Sequence, residues 1–153
     1  MKLRIFVAFI LACALVGTAT ATTITPIAMS NRSLGGKDLN EYTFGVVGAL
    51  GPNNVGLLVK TWGKVTWVDA TAQYFYVDDG SGLSDGTRRT DNNLLVFGVR
   101  VSYGNLAADA VPVSVPSERD IAVVTGISSV VVISGQSRPN LRVRKGPDVL
   151  VLH

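Results

Sequence analysis

The residues that could do chemistry sit in a few stretches where aromatic rings alternate with cations. In Tyr74-Phe75-Tyr76-Val77, strand alternation puts Phe75 and Val77 on one face and Tyr74 and Tyr76 on the other. Lys60 and Trp62 share a face, and Arg100 points away from its neighbours Val99 and Val101. Rings interleaved with cations suit an unpaired nucleic-acid strand, because the rings stack on bases while the cations follow phosphates. The same rings would stack on sugars. A second basic group is Arg138, Arg142, Arg144 and Lys145, in which Arg142 and Arg144 alternate with Leu141 and Val143. The candidate ligand-binding residues are therefore Lys60, Trp62, Tyr74, Tyr76, Arg100, Arg138, Arg142 and Arg144. Each group also has a plainer reading. Exposed Tyr and Arg are ordinary strand residues, or they lie beneath the N-terminal arm, and edge charges discourage strand-to-strand aggregation.

Other chemistry is poorly supplied. The one His is the final residue, His153, and the one Cys is Cys13. That leaves no material for a catalytic triad, a zinc site of the usual kind or a disulfide framework. Asp78-Asp79-Gly80-Ser81-Gly82, followed by Asp85 and Asp91, carries oxygen ligands that would suit calcium. It lacks EF-hand spacing, however, and Asp-Gly-Ser-Gly is a good turn sequence by itself. Arg88-Arg89 in the same loop would balance those acids. A nuclease reading would enlist Asp78, Asp79 and Arg100, but Glu41 and Glu118 lie in no recognisable motif. The expectation is a protein with no catalytic residues, no cofactor and no metal.

The chain has 153 residues, enough for one domain and a small accessory segment. Its 47% apolar and 16% charged composition excludes a disordered, charge-rich chain. Sixteen Gly and six Pro suit a turn-rich β protein. Residues 1–21 read as a secretory signal peptide: Lys2 and Arg4, an apolar run from Ile5 to Val16, then Ala19-Thr20-Ala21 as cleavage site. The rival is lipidation at Cys13, for which Ile10-Leu11-Ala12-Cys13 is a loose lipobox. The apolar run is too short to span a bilayer. Without the leader, 12 basic side chains face 11 acidic ones, a net charge of +1. So small a charge gives no global field to attract nucleic acid or an anionic membrane. The expected location is periplasmic or extracellular, with no membrane span in the mature chain.

Stepping along the mature chain, residues 22–54 keep no period and read as an irregular arm. It either packs on the domain by Ile24, Ile27, Leu34, Phe44 and Val47 or stays loose, and Asn31-Arg32-Ser33 has the form of a glycosylation sequon. Five strands are predicted from there: 56–69, 73–78, 94–103, 121–133 and 141–152, the last interrupted at 145–148. Ser134 to Asn140 reads as a hairpin loop, and the Ala-rich patch at 106–110 leaves room for a turn or two of helix. Gly63, inside the first strand, is expected at a bulge or sharp bend. Such a strand can pair on both sides and roll five strands into a closed barrel. Val59, Val65, Phe75, Val77, Val99, Val101, Val123 and Leu141 recur at period two and form the predicted core.

At these residues the chain resembles the OB (oligonucleotide/oligosaccharide-binding) family. The carriers are V-K-T-W-G-K-V-T at 59–66, Y-F-Y-V-D-D-G-S-G at 74–82, G-V-R-V at 98–101 and V-V-T-G-I at 123–127. It is similar to a group of secreted bacterial OB-like proteins sharing N-x-G-L-L-V-x-T-W-G-K-V-T, here 54–66. The resemblance covers about 54–153 and implies an all-β, five-stranded Greek-key barrel over 55–153. It also implies a binding groove on the outer face of the second and third strands, with the loop between the last two strands touching ligand. Trp62, Tyr74, Tyr76 and Arg100 would then lie together on one outer face. The family helix between the third and fourth strands looks shortened or missing. The leading expectation is an exported, non-catalytic binding module for single-stranded nucleic acid. The alternative is a structural, protein-interaction or carbohydrate-binding module of the envelope or extracellular space.

Overall fold

The computed structural model describes residues 24–152, so the expected leader, with Cys13 and the cleavage expected after Ala21, lies outside the described residues. Seven strands form one sheet: β1 (Ile27–Ala28), β2 (Leu58–Asp69), β3 (Tyr74–Asp78), β4 (Val99–Ser102), β5 (Ile121–Ile133), β6 (Gln136–Arg142) and β7 (Val149–Leu152). The long first apolar run becomes β2 because it can satisfy two partners. Leu58 to Lys64 pair antiparallel with β5, and Lys64 to Asp69 pair antiparallel with β3 on the other side. β3 continues to β4, β4 runs parallel to β6, and β6 returns to β5, closing a ring of five strands. The fourth ring strand, β5, lies beside the first, which is Greek-key order. β7 extends the sheet beyond β5, and β1 lies parallel to β2.

The ring encloses the core. Val59, Val65, Phe75, Val77, Val99, Val101 and Leu141 are buried there as predicted. Val123 is half-exposed instead, and its neighbours Ala122 and Val124 point inward. β5 carries apolar residues on both faces, Val123 and Val124 side by side, so alternation alone could not set its register.

Gly63 is not at the bulge. It pairs with Ala122 within the ladder, and the register shift falls between Val65 and Trp67. Gly63 is needed for another reason: a Cβ there would collide with the Asp78 carbonyl of β3. The bulge has a larger consequence. After it, Trp67 pairs with Tyr76 and Val68 with Phe75, so Trp67 turns outward and Val68 inward.

The last predicted strand also differs. Pairing starts at Gln136, and the hairpin turn is only Ser134-Gly135, both at positive φ. The chain then breaks at a short 3₁₀ turn, Gly146–Asp148, before β7. The third strand begins only at Val99, leaving a 79–98 loop whose internal pairing is a single Arg88–Leu95 bridge. The Ala-rich patch forms a turn and no helix.

The arm belongs to the fold, and of its expected packing residues only Leu34 carries the contact. Leu34 is fully buried in the core, while Ile24, Ile27, Phe44 and Val47 are exposed; Val46 and Ala49 pack instead. Asn31 is also fully buried. Its amide donates to the Val77 carbonyl at 2.6 Å, its side-chain oxygen accepts from Thr61 Oγ1 at 2.8 Å, and its backbone N–H donates to Asp79 Oδ2 at 2.8 Å. The sequon asparagine is thus a cross-link, closed to a glycan in the folded chain.

Candidate functional site

The proposed outer face divides into two. On the first, pairing aligns Trp67, Tyr76, Arg100 and Asn140 in one row, and Asp69, Tyr74, Ser102 and Arg142 in the next. Tyr74, Tyr76 and Arg100 are therefore brought together, as the alternation implied. The Arg100 guanidinium sits 3.7 Å from the centre of the Tyr74 ring, and the Tyr74 and Tyr76 rings meet edge to face at 5.8 Å.

The row through Trp67 and Tyr76 is covered by the 79–98 loop, while Tyr74 is partly exposed and Arg142 exposed. Tyr76 is 0% exposed and Trp67 6%. With Val96 of the loop they form a second, smaller core. The Tyr76 hydroxyl donates to Asp85 Oδ2 at 2.6 Å and lies 2.9 Å from Thr87 Oγ1. Burial, then the hydrogen bond to Asp85, push the Tyr76 hydroxyl far above the usual tyrosine range. Arg89 lies over Trp67 at 5.3 Å and forms two-pronged pairs with Asp91 and Glu118. Asp91 is one of the loop acids it was expected to balance; Glu118 and the Thr66 carbonyl are its other partners, and Asp78, Asp79 and Asp85 are not among them. Trp67 Nε1 and Arg100 Nε are shielded and have no protein partner. Tyr76 is thus a core residue in this arrangement, and no base or sugar can stack on it. Residue types alone give no sign of this, because the cover arrives from a loop that carries no strand pattern.

The acidic turn is a turn. Asp78 Oδ1 accepts from Gly80 N, Asp79 Oδ1 accepts from Ser81 N, and Gly80 and Gly82 take positive φ. Among the described residues no three His, Cys, Asp or Glu side chains converge as a metal site.

The second face is open. Trp62 pairs with Val123 and Val123 with Leu150, and Lys64 pairs with Ile121 and Ile121 with Leu152. Directly opposed strand residues share a face. Two rows thus cross β2, β5 and β7, with Lys60 and Thr125 continuing them. Trp62 is 51% exposed, Leu150 56%, Leu152 47% and Ile121 43%. Trp62 and Lys60 therefore stand apart from Tyr74, Tyr76 and Arg100: their cross-strand neighbours belong to β5, not to β3. Four apolar members, Ile121, Val123, Leu150 and Leu152, were missed as site residues. Ile121 reads as an ordinary strand position, Val123 was assigned to the core, and 141–152 read as one interrupted strand.

The basic group disperses. Arg138 lies within β6, opposite Val131, and not in a loop. Arg142 is exposed at the end of β6. Arg144 lies beyond the strand, where its guanidinium grips Asp148 through two bonds of 3.0 and 2.9 Å. Arg142 and Arg144 both line a cleft of about 300 Å³ with Asn105 and Leu106. No single cationic stripe joins Lys60, Arg100 and Arg142, since Lys60 neighbours Ala28 and Thr125. Among the described residues no helix is long and apolar enough to cross a membrane. Set against family models, curated proteins and solved structures, the chain finds no match in any of the three.

Proposed function

We propose that this chain is an exported, non-catalytic binding module of OB type, and that its partner is an extended segment of another polypeptide. The observation that carries this reading is the open row Trp62–Val123–Leu150, which ends at the free edge of β7. Among the described residues, β7 makes main-chain bonds to β5 alone. An unpaired strand edge offers N–H and C=O groups to an added strand, and an adjoining apolar face gives that strand side-chain contacts. Aliphatic side chains such as Ile121, Leu150 and Leu152 bury apolar neighbours well and offer little to a phosphate backbone. The leader read in residues 1–21 supports the exported part of the proposal.

One observation favours the nucleic-acid reading: Lys60 and Lys64 flank the exposed Trp62 at strand spacing. Panning a random peptide library on the purified protein, with Leu150→Asp as counter-selection, separates the two. The polypeptide reading expects an alternating apolar motif whose binding is lost in Leu150→Asp. Saturable oligothymidine binding that weakens steeply with salt, and that requires Trp62, would replace it with the nucleic-acid reading.

A further inference from the structure

The arm and the β5–β6 hairpin border an open cleft of about 740 Å³, within the size range of small-ligand sites. Lys37, Asp38, Phe44 and Gln136 line it. Phe44 is 66% exposed, although Phe75 in the core is 0%. Packing does not require it, because Val46 and Ala49 beside it are the residues that bury.

The ring is displayed on a fixed backbone. The Phe44 carbonyl accepts from Asn53 Nδ2 at 3.3 Å, and the next residue, Gly45, donates its N–H to Asp38 Oδ1 at 2.7 Å. Val46 N–H donates to the Gly36 carbonyl at 2.9 Å, and Val47 N–H donates to the Ser137 carbonyl of β6 at 2.9 Å. The last bond ties the two walls together. A backbone held this way loses little freedom on binding.

We infer that this cleft is a binding site for a neutral saccharide. The polar lining offers partners to hydroxyl groups: an acceptor in the second oxygen of the Asp38 carboxylate, a donor in the Lys37 ammonium, and a donor in the Gln136 amide, whose oxygen already accepts from Arg138. One Lys and one Asp balance within the lining itself, which favours a neutral ligand. A wholly apolar ligand would strand the polar rim. The exposed ring supplies the face on which sugar C–H groups rest, since the negative face of an aromatic ring attracts their slight positive charge. The site lies away from the covered β3–β4 face and does not depend on the β7 edge.

The test is an NMR titration of the purified protein with a panel of soluble neutral oligosaccharides: cello-, laminari-, xylo- and chito-oligomers. Saturable shifts are expected for at least one, confined to residues 37–49 and 135–137, unaffected by salt. Phe44→Ala should weaken binding about tenfold while the remaining spectrum stays in place. Asp38→Ala should weaken it too, and Asp38→Asn, which keeps an acceptor for Gly45, should lose less. No shifts from any oligomer at millimolar concentration, shifts elsewhere, or binding indifferent to Phe44→Ala would overturn the inference. Leu150→Asp should leave the titration unchanged, so failure here and failure of the polypeptide reading are distinguishable.

Discussion

Two tryptophans five residues apart on β2 have opposite fates. Trp62 stands half in solvent above β5 and β7; Trp67 is shut beneath the 79–98 loop. Both follow a β-rich sequence and both point away from the main core. The difference is made by the shift between Val65 and Trp67, which turns Trp67 toward β3, where a loop lies over it. Outward orientation on a strand therefore does not mean availability. What decides is whether a distant segment returns to cover the position.

The largest test of this contrast is Trp67→Ala. Removing a buried ring should cost about 3–5 kcal/mol, read as a lowered denaturant midpoint. A loss below about 1 kcal/mol would mean that the loop is not packed on the face in solution.

Gly63→Val comes next, because Gly63 brings β2 against β3 just ahead of the shift. The added side chain meets the Asp78 carbonyl, a backbone group that cannot swing aside, and about 3 kcal/mol of destabilisation is expected. An unchanged melting temperature would show that the close approach is not real.

Tyr76→Phe probes the latch of the cover. It removes the hydroxyl that Asp85 accepts from within the loop, and about 1–3 kcal/mol should be lost. The pH dependence has a definite sign. A tyrosine whose hydroxyl titrates higher when folded than when unfolded holds its proton more tightly in the native state. Its contribution is complete below the unfolded value of about 10 and is lost as pH rises beyond it. Stability should therefore fall above about pH 10, and less steeply in Tyr76→Phe; equal slopes would contradict the buried latch. Tyr74 and Tyr103, also raised by burial first, keep part of the slope in the variant.

Trp62→Ala should be the mildest, with stability changed by less than about 1 kcal/mol since half the ring is already in water. Peptide capture, not melting, is where its loss should register. A large stability loss would place Trp62 in a packed interface rather than on an open face.

Most of the ring was legible in the sequence because one face of each strand had to be apolar. Seven of the eight core positions followed from period two. Val123 failed where both faces of β5 are apolar and parity carries no information. The bulge was invisible for a related reason: Val65, Thr66, Trp67 and Val68 all favour strands, so nothing in their types marks an extra residue. The binding face was legible in part. Tyr74, Tyr76 and Arg100 do meet, but their cover depends on tertiary contacts between Asp85, Thr87, Val96 and the sheet, which local pattern does not encode. The cleft at Phe44 was hidden because the arm has no period from which an exposed position could be told from a packed one.

Ring closure also sets how fast the chain can reach this state. β5 and β6 meet through a two-residue turn and can form early, from neighbours in sequence. The bonds that shut the ring join Leu58 to Ile127 and Lys64 to Ile121, and the parallel pairing joins Val101 to Leu141. Bringing such distant segments together loses chain entropy before any contact rewards it. Folding is therefore expected on the millisecond-to-second scale of all-β domains, with closure as the slow step. During that interval the Val-Val-Val-Ile end of β5 is shielded only by its own hairpin partner. The tight Ser134-Gly135 turn then has a kinetic role: it keeps the edge of this apolar strand end paired with β6 while the distant strands are still finding their places.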